Sequence, residues 1–491
     1  MISYRGEFEE GRIACTFVLL LVKEIAERFL RLEKYIEEAE IELAEQQLHL
    51  VDYIRNSIVE RLGELEKLWQ RTLRERESKE AYDIDRAVSA LVRLAASLER
   101  FKNLHKALRW FYTPWVEAET ETFLRDFFNT PLSQQLFEEL NVTVGLTEDY
   151  DFVNPYPAVH FGSRQPNTPN IVALPLIEKD NPLMWPVLMH EVGHALIQAS
   201  DIDRKFEVTI SSQKAPESSK RILHQWAREL GSDLLALKLL GPSYLLAYLN
   251  FYSFIFHDPK KSIYAFHKDS KNTPSPVKRV EFLRARLQRM DHRFFIKGEL
   301  LDFYWTLFEM RLELENKKRQ YDFKSKEKEE EKENEEEIDP QISDQLYEKL
   351  QQLVVEEIEG EFSKLQLTEF HYDNDFTPAK ELVKRLSQKE LISSKRTYMP
   401  TETQVMSDLE KGDLLAACKR LREEPCRPVE IITAAWLTQL NHEFSIYYES
   451  RDVNNVPFDE ELGNSEYSSR LVAKSIETAR IHRTFLEKSA N

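Results

Sequence analysis

The chain has 491 residues, of which 67 are Lys or Arg and 85 are Asp or Glu, for a formal charge of −18. That length supports two or three domains with sizeable cores. The acidic balance argues against a general nucleic-acid grip, because phosphate binding needs a basic face. Only 12 glycines, against abundant Leu, Glu, Lys and Arg, predict a mainly helical protein with few tight turns. Cys15, Cys418 and Cys426 are dispersed and lack C-x-x-C spacing, so they read as packed thiols in a reducing compartment.

Residues 12 to about 110 carry helical periodicity with few breakers. Ile13 to Val22 is the strongest early apolar run, yet Glu7, Glu9 and Glu10 stand where a signal peptide would be basic. It is also too short to span a bilayer. It is expected to be a buried helical segment, and with no other candidate span the protein is expected to be soluble and cytoplasmic, without a membrane partner. Leu32, Tyr35 and Ile36, then Leu62, Leu65, Leu68 and Trp69, recur at helical spacing without a strict heptad, which predicts a helical bundle. Tyr112-Thr113-Pro114-Trp115 ends that run. Pro131, Pro155, Pro157 and Asn167-Thr168-Pro169 mark a loop-rich approach to the centre of the chain.

Two short strands are predicted there. Ala158 to Phe161 is one. Asn170-Ile171-Val172-Ala173-Leu174-Pro175-Leu176 is the other, where Pro175 cannot donate to a ladder and so implies an edge strand or a strand end.

The next segment carries chemistry. Asn181-Pro182 and Trp185-Pro186 are helix-start signals. They precede His190-Glu191-Val192-Gly193-His194, an H-E-x-x-H run. Four helical residues advance about 400°, so His190 and His194 share a face, one turn apart, and both imidazoles can reach one metal ion. Glu191 lies about 100° round, where a carboxylate can take a proton from a water at that metal. Leu188, Val192, Ala195, Leu196 and Ala199 form an apolar stripe on the other side. Gly193 costs about 1 kcal/mol of helix propensity, which close approach of another element would explain. The competing reading is a buried helix with two hydrogen-bonded core histidines.

A zinc site for hydrolysis takes three protein ligands and leaves one position open. Glu229 and Asp233 stand four apart on a strongly apolar helix that Gly241-Pro242 ends. Buried carboxylates are costly unless they bind a cation or accept hydrogen bonds. Glu229 is therefore the candidate third ligand, and Asp233 the candidate acceptor that orients a ligand histidine. A solvated acidic helix edge is the alternative.

With His190, Glu191 and His194 followed by the E-x-x-x-D pair Glu229 and Asp233, residues 170 to 240 resemble the gluzincin class of zinc metallopeptidases. The resemblance implies one zinc ion per chain, Glu191 as general base, and an α+β zincin-like core with a small sheet. It further implies that the strand before the metal helix, here Ile171, Val172, Ala173 and Leu174, is an edge that pairs with an extended substrate. The metzincin pattern fails, since Ser200 stands where a third histidine is required, although Asp201 and Asp203 remain alternative oxygen ligands. Tyr244, Tyr264 and His267 follow at distances that can return them to a cleft as transition-state stabilisers, against the plainer reading of packed or surface residues. Thr273 to Arg279 reads as a rigid turn feeding a helix, faintly similar to a proline-proline-arginine segment of some gluzincins.

Lys324 to Glu337 holds eight glutamates and four lysines in fourteen residues and reads as an exposed linker. Leu346 to Ile358, Ile431 to Leu440 and Tyr467 to Phe485 are helical again. The expected organisation is a helical domain over 1–125, a zincin-like core over 126–322, an acidic linker over 323–337 and a helical domain over 338–491. The expected function is a regulated zinc peptidase acting on a protein or peptide substrate, with a regulatory protein partner. The alternative is an inactive zinc-binding helical scaffold.

Overall fold

The computed structural model describes residues 2–40, 48–76, 118–128, 130–140, 142–147, 151–153, 170–175, 178, 181–254, 269–295, 342–392, 425–443 and 458–490, with single positions at 86, 87, 90, 91, 94, 305 and 309. Within them the chain is mainly helical. Helices α1 (Ile2–Glu40) and α2 (Leu48–Arg76) pack together at the start. Cys15 through Val22 are buried in α1, so the early apolar run is core. No helix among the described residues is long and apolar enough to cross a membrane. Cys15 and Cys426 are buried thiols, as their pattern predicts.

Helices α3 (Ala118–Arg125) and α4 (Pro131–Leu140) lead into a small sheet of β1 (Val142–Thr147), β2 (Asp151–Val153) and β3 (Asn170–Pro175). Its order is β1-β3-β2, with β1 parallel and β2 antiparallel to β3. The expected substrate-pairing edge is thereby overturned. Ile171, Val172 and Ala173 are paired on both sides, and Leu174 is buried opposite Leu146. Pro175 is the last residue of β3, opposite Thr147, so its missing N–H ends the strand without making it an edge. Val172 and Leu174, with Val144 on β1, are fully buried, and such apolar β-rich residues suit a strand with neighbours on both sides. The segment Ala158 to Phe161 lies outside the described residues.

The remaining helices are α5 (Leu188–Ala199), α6 (Ile202–Ser211), α7 (Glu217–Leu240), α8 (Pro242–Phe254), α9 (Pro276–Met290), α10 (Asp344–Lys364), α11 (Thr377–Ser387), α12 (Pro428–Glu443) and α13 (Phe458–Ala490). Helix α7 is the hub, touching α5, α6, α8, α9 and α10. Its residues Leu234 to Leu240 are all buried, consistent with an apolar helix surrounded by others. It stops at Gly241, whose φ of +57° suits glycine and whose N–H bonds the Leu237 carbonyl at 2.7 Å. A Cβ there would also lie 2.3 Å from the Phe370 ring. One hydrophobic core runs from Phe17 to Ala479, and α10, from beyond the acidic segment, lies directly on α7. The segment Lys324 to Glu337 falls outside the described residues.

Candidate metal centre

The approach to α5 is pinned before the helix starts. Glu178 pairs with Arg28 and Arg31 of α1 at 3.3 and 3.5 Å and accepts a bond from the Asn181 amide at 2.8 Å. Trp436 of α12 donates to the Leu183 carbonyl at 3.1 Å. A 3₁₀ turn, Trp185–Val187, then runs straight into α5 with Pro186 in its first turn. Leu188, Val192, Ala195 and Leu196 are buried, and each Leu or Val contributes about 1.5–3 kcal/mol by leaving water. That burial fixes the rotation of α5 and with it the direction of the two histidines.

His190 and His194 approach with their Nε2 atoms 3.1 Å apart. Helix α7 closes the third side, because Gly193 lets it come near: a Cβ at Gly193 would lie 2.8 Å from the Ser232 Cα. The Glu229 carboxylate thereby reaches both rings, at 3.5 Å from Nε2 of His190 and 3.4 Å from Nε2 of His194. Ligand atoms at the usual zinc distances, on the corners of a tetrahedron, are about 3.3 Å apart. The two imidazole nitrogens fit that spacing, and Glu229 sets one oxygen at it from each histidine, Oε2 from His190 and Oε1 from His194, so the carboxylate straddles the position a zinc ion would take. Glu191 is buried beside them, and a carboxylate oxygen of it lies within 4.8 Å of the ligand atoms of His190 and His194.

Asp233 is wholly buried and accepts four contacts. Nδ1 of His190 is 2.9 Å away, the Tyr244 hydroxyl donates at 2.6 Å, and Arg279 donates from Nε at 2.7 Å and Nη2 at 2.8 Å. A carboxylate on Nδ1 sets the tautomer that turns the His190 Nε2 lone pair toward the cluster. Arg279 also touches Glu229 at 3.1 Å and lies over the Tyr248 ring.

These neighbours shift the titrations. Burial opposes a charge on His190, but the Asp233 carboxylate, aided by Glu229, outweighs it and raises the pKa to about 10. Burial, then the charge of His190, lowers His194 to about 4. Burial likewise opposes the charge of Glu229, yet Arg279 and the histidines hold its pKa down to about 2. Asp233 is held below the usual carboxylate range, chiefly by Arg279 against the cost of burial. A metal ion at Nε2 would displace the His190 proton; with both imidazoles then neutral, Glu191, Glu229 and Asp233 against Arg279 leave two negative charges for a divalent cation to balance.

Asp203, an alternative ligand by sequence, is committed elsewhere. It holds Arg228 at 2.7 and 2.5 Å and His224 at 3.0 Å. Asp201 is exposed at the start of α6. Tyr244 stands behind His190, its hydroxyl on the Nδ1 side and on Asp233, away from the Nε2 atoms that face one another in the cluster. Tyr264 and His267 lie outside the described residues. Arg279, which closes the segment likened above to a proline-proline-arginine run, is the site residue to which the spacing of the two motifs gives no role. A signal was present in the first turn of α9, where Lys278 and Arg279 occur without an acidic residue. Helix dipoles favour the opposite charge there, so a cation in that turn points to a carboxylate from elsewhere in the fold.

Set against family models, curated proteins and solved structures, the chain matches none.

Proposed function

We propose that the chain is a zinc-dependent peptidase of the gluzincin type, hydrolysing peptide bonds of a protein or peptide substrate with one zinc ion per chain. The observation that supports this reading is the convergence of His190, His194 and the Glu229 carboxylate, each of whose oxygens lies about one zinc-tetrahedron edge from one histidine, with Asp233 on the far nitrogen of His190. The contacts of α5 with β2 and β3 support a zincin-like core, in which a metal helix rests on a small sheet.

When bound, zinc supplies Lewis acidity, bringing the pKa of a water toward ~7 and polarising the scissile carbonyl. The chain does the rest. His190, His194 and Glu229 hold the ion, and Asp233 locks the His190 ring. Glu191 accepts the proton of the attacking water and returns it to the leaving amine. Arg279 neutralises part of the carboxylate charge and keeps Glu229 and Asp233 ionised.

Metal analysis and peptide hydrolysis test this together. The wild-type chain should hold about one zinc, and His190→Ala, His194→Ala and Glu229→Ala should each lose most of it. Glu191→Gln should keep zinc and fold while turnover falls at least ~100-fold. Full zinc in Glu229→Ala would remove it from the ligand set. Stoichiometric zinc with no hydrolysis of any peptide would favour the scaffold reading.

A further inference from the structure

Helix α1 reaches the approach to the metal helix with buried charges. Lys23, Glu24 and Arg28 follow its apolar run, and all three are buried. Arg28 and Arg31 both face Glu178, itself buried, on the segment that leads into α5. The centre is thus supported by ion pairs from two sides, one through α7 and one through α1.

The two supports differ in quality. Through α7, Arg279 holds Asp233 at 2.7 and 2.8 Å, the length of charge-assisted hydrogen bonds. Through α1, Arg28 and Arg31 lie 3.3 and 3.5 Å from Glu178, and Nε and Nη2 of Arg31 have no hydrogen-bond partner among the described residues. A buried ion pair repays its desolvation only with excellent geometry and its remaining donors satisfied. The first support meets that condition and the second does not, so the α1 side is the one that yields. Glu24 offers the arginines another partner, bonding Arg28 at 2.8 Å and lying 3.7 Å from Arg31. Arginines released from Glu178 therefore keep a counter-charge on α1, which makes the release reversible.

We infer that the contact of Arg28 and Arg31 with Glu178 is a latch through which α1 governs the metal centre: closed, it fixes the start of α5, and released, it frees the first turns of that helix, where His190 stands. The two arginines act through Glu178 and are positioning residues. Trp436 on the Leu183 carbonyl and Asn250 on the Met184 sulfur stay in place, so the movement is local to the N-terminal end of α5. This inference deepens the metal-centre reading and rests on it, yet the latch itself is open to test on the metal-free chain.

Hydrogen exchange of the metal-free, full-length chain reads the latch. Glu178→Gln removes the charge and keeps an acceptor for Asn181. Amides of residues 183–194 should then exchange at least ~10-fold faster, while those of α10 stay within about twofold. Ile25→Val trims a buried packing residue of the same helix without touching its charges, and should not single out residues 183–194. If Glu178→Gln fails to fold, Arg31→Gln should give the same selective rise, at least ~3-fold. Zinc-loaded Glu178→Gln should also release its ion to EDTA at least ~10-fold faster than wild type. The inference is overturned if exchange in 183–194 is unchanged, if it rises equally in α10, if Ile25→Val reproduces the pattern, or if zinc release is unaltered. A wild-type chain that takes up no zinc would instead sink the metal reading, and the exchange comparison would still decide whether the latch holds α5.

Discussion

At the scale of single residues, Asp233 and Arg279 decide how the cluster is held. Asp233 has no exposed surface and Arg279 is 4% exposed, so their two-pronged contact lies in a dry interior. Removing one partner of such a pair leaves a buried charge uncompensated, at a cost of about 3–5 kcal/mol. Arg279→Met should therefore destabilise the chain on that scale in urea unfolding of the metal-free protein. A loss under about 1 kcal/mol would mean that Tyr244 and His190 suffice to hold the carboxylate. Asp233 was legible in the sequence because it shares a helix face with Glu229. Arg279 was marked only by the faint proline-proline-arginine likeness of Thr273 to Arg279, because a separation of 46 residues from Asp233 carries no spacing that predicts their meeting.

Between elements, the approach of α5 to α7 is set by the missing side chain at Gly193. An alanine there gains about 1 kcal/mol of helix propensity. It also drives a Cβ to 2.8 Å from the Ser232 backbone, which cannot rotate away, and overpacking of this kind costs about 1–3 kcal/mol. The clash should win, and the helix shift should separate Glu229 from the histidines. Gly193→Ala is expected to lose both stability and zinc. Gly360→Ala on α10, with nothing within 4 Å of its Cβ, should gain up to ~1 kcal/mol and keep zinc. Equal behaviour of the two variants would show that helix separation does not govern the site.

The clamp between α6 and α7 gives a pH-dependent counterpart. Burial opposes the Asp203 charge, but bonds from His224 and Arg228 overcome it and hold its pKa below the usual carboxylate range. A depressed carboxylate stabilises the fold above its unfolded value of about 3.9, and that stabilisation is lost as pH falls through the folded value. Wild type and Asp203→Asn should then differ in stability at neutral pH and converge in acid. A difference independent of pH would show that the charge is not what matters.

At the scale of the whole molecule, the continuous core from Phe17 to Ala479 bears on regulation. His190 is 6% exposed and Glu191 8%, whereas the His194 and Glu229 side chains keep 16% and 23%, so the cluster is only partly open to solvent. On the peptidase reading proposed above, admitting an extended polypeptide to so narrow an opening requires neighbouring segments to move, at a free-energy cost of its own. The purified full-length protein should accordingly be nearly inert toward casein and cleave only when a specific substrate or partner engages it. Rapid casein digestion by the intact chain would rule this out and point to an open, housekeeping peptidase.

The sequence alone determined the features that depend on near neighbours along the chain. Helical content followed from composition. The shared face of His190 and His194, and that of Glu229 and Asp233, followed from the helical repeat of 3.6 residues. The close approach at Gly193 was announced by a residue that helices otherwise disfavour. Tertiary structure alone decided the matters that depend on distant segments meeting. It brought Arg279 and Tyr244 onto Asp233, and Arg28 and Arg31 onto Glu178. It placed β3 between β1 and β2, where Pro175 was compatible with either a strand end or an edge. Periodicity encodes which face of an element is apolar, whereas the partner that covers the face is chosen by packing over the whole chain.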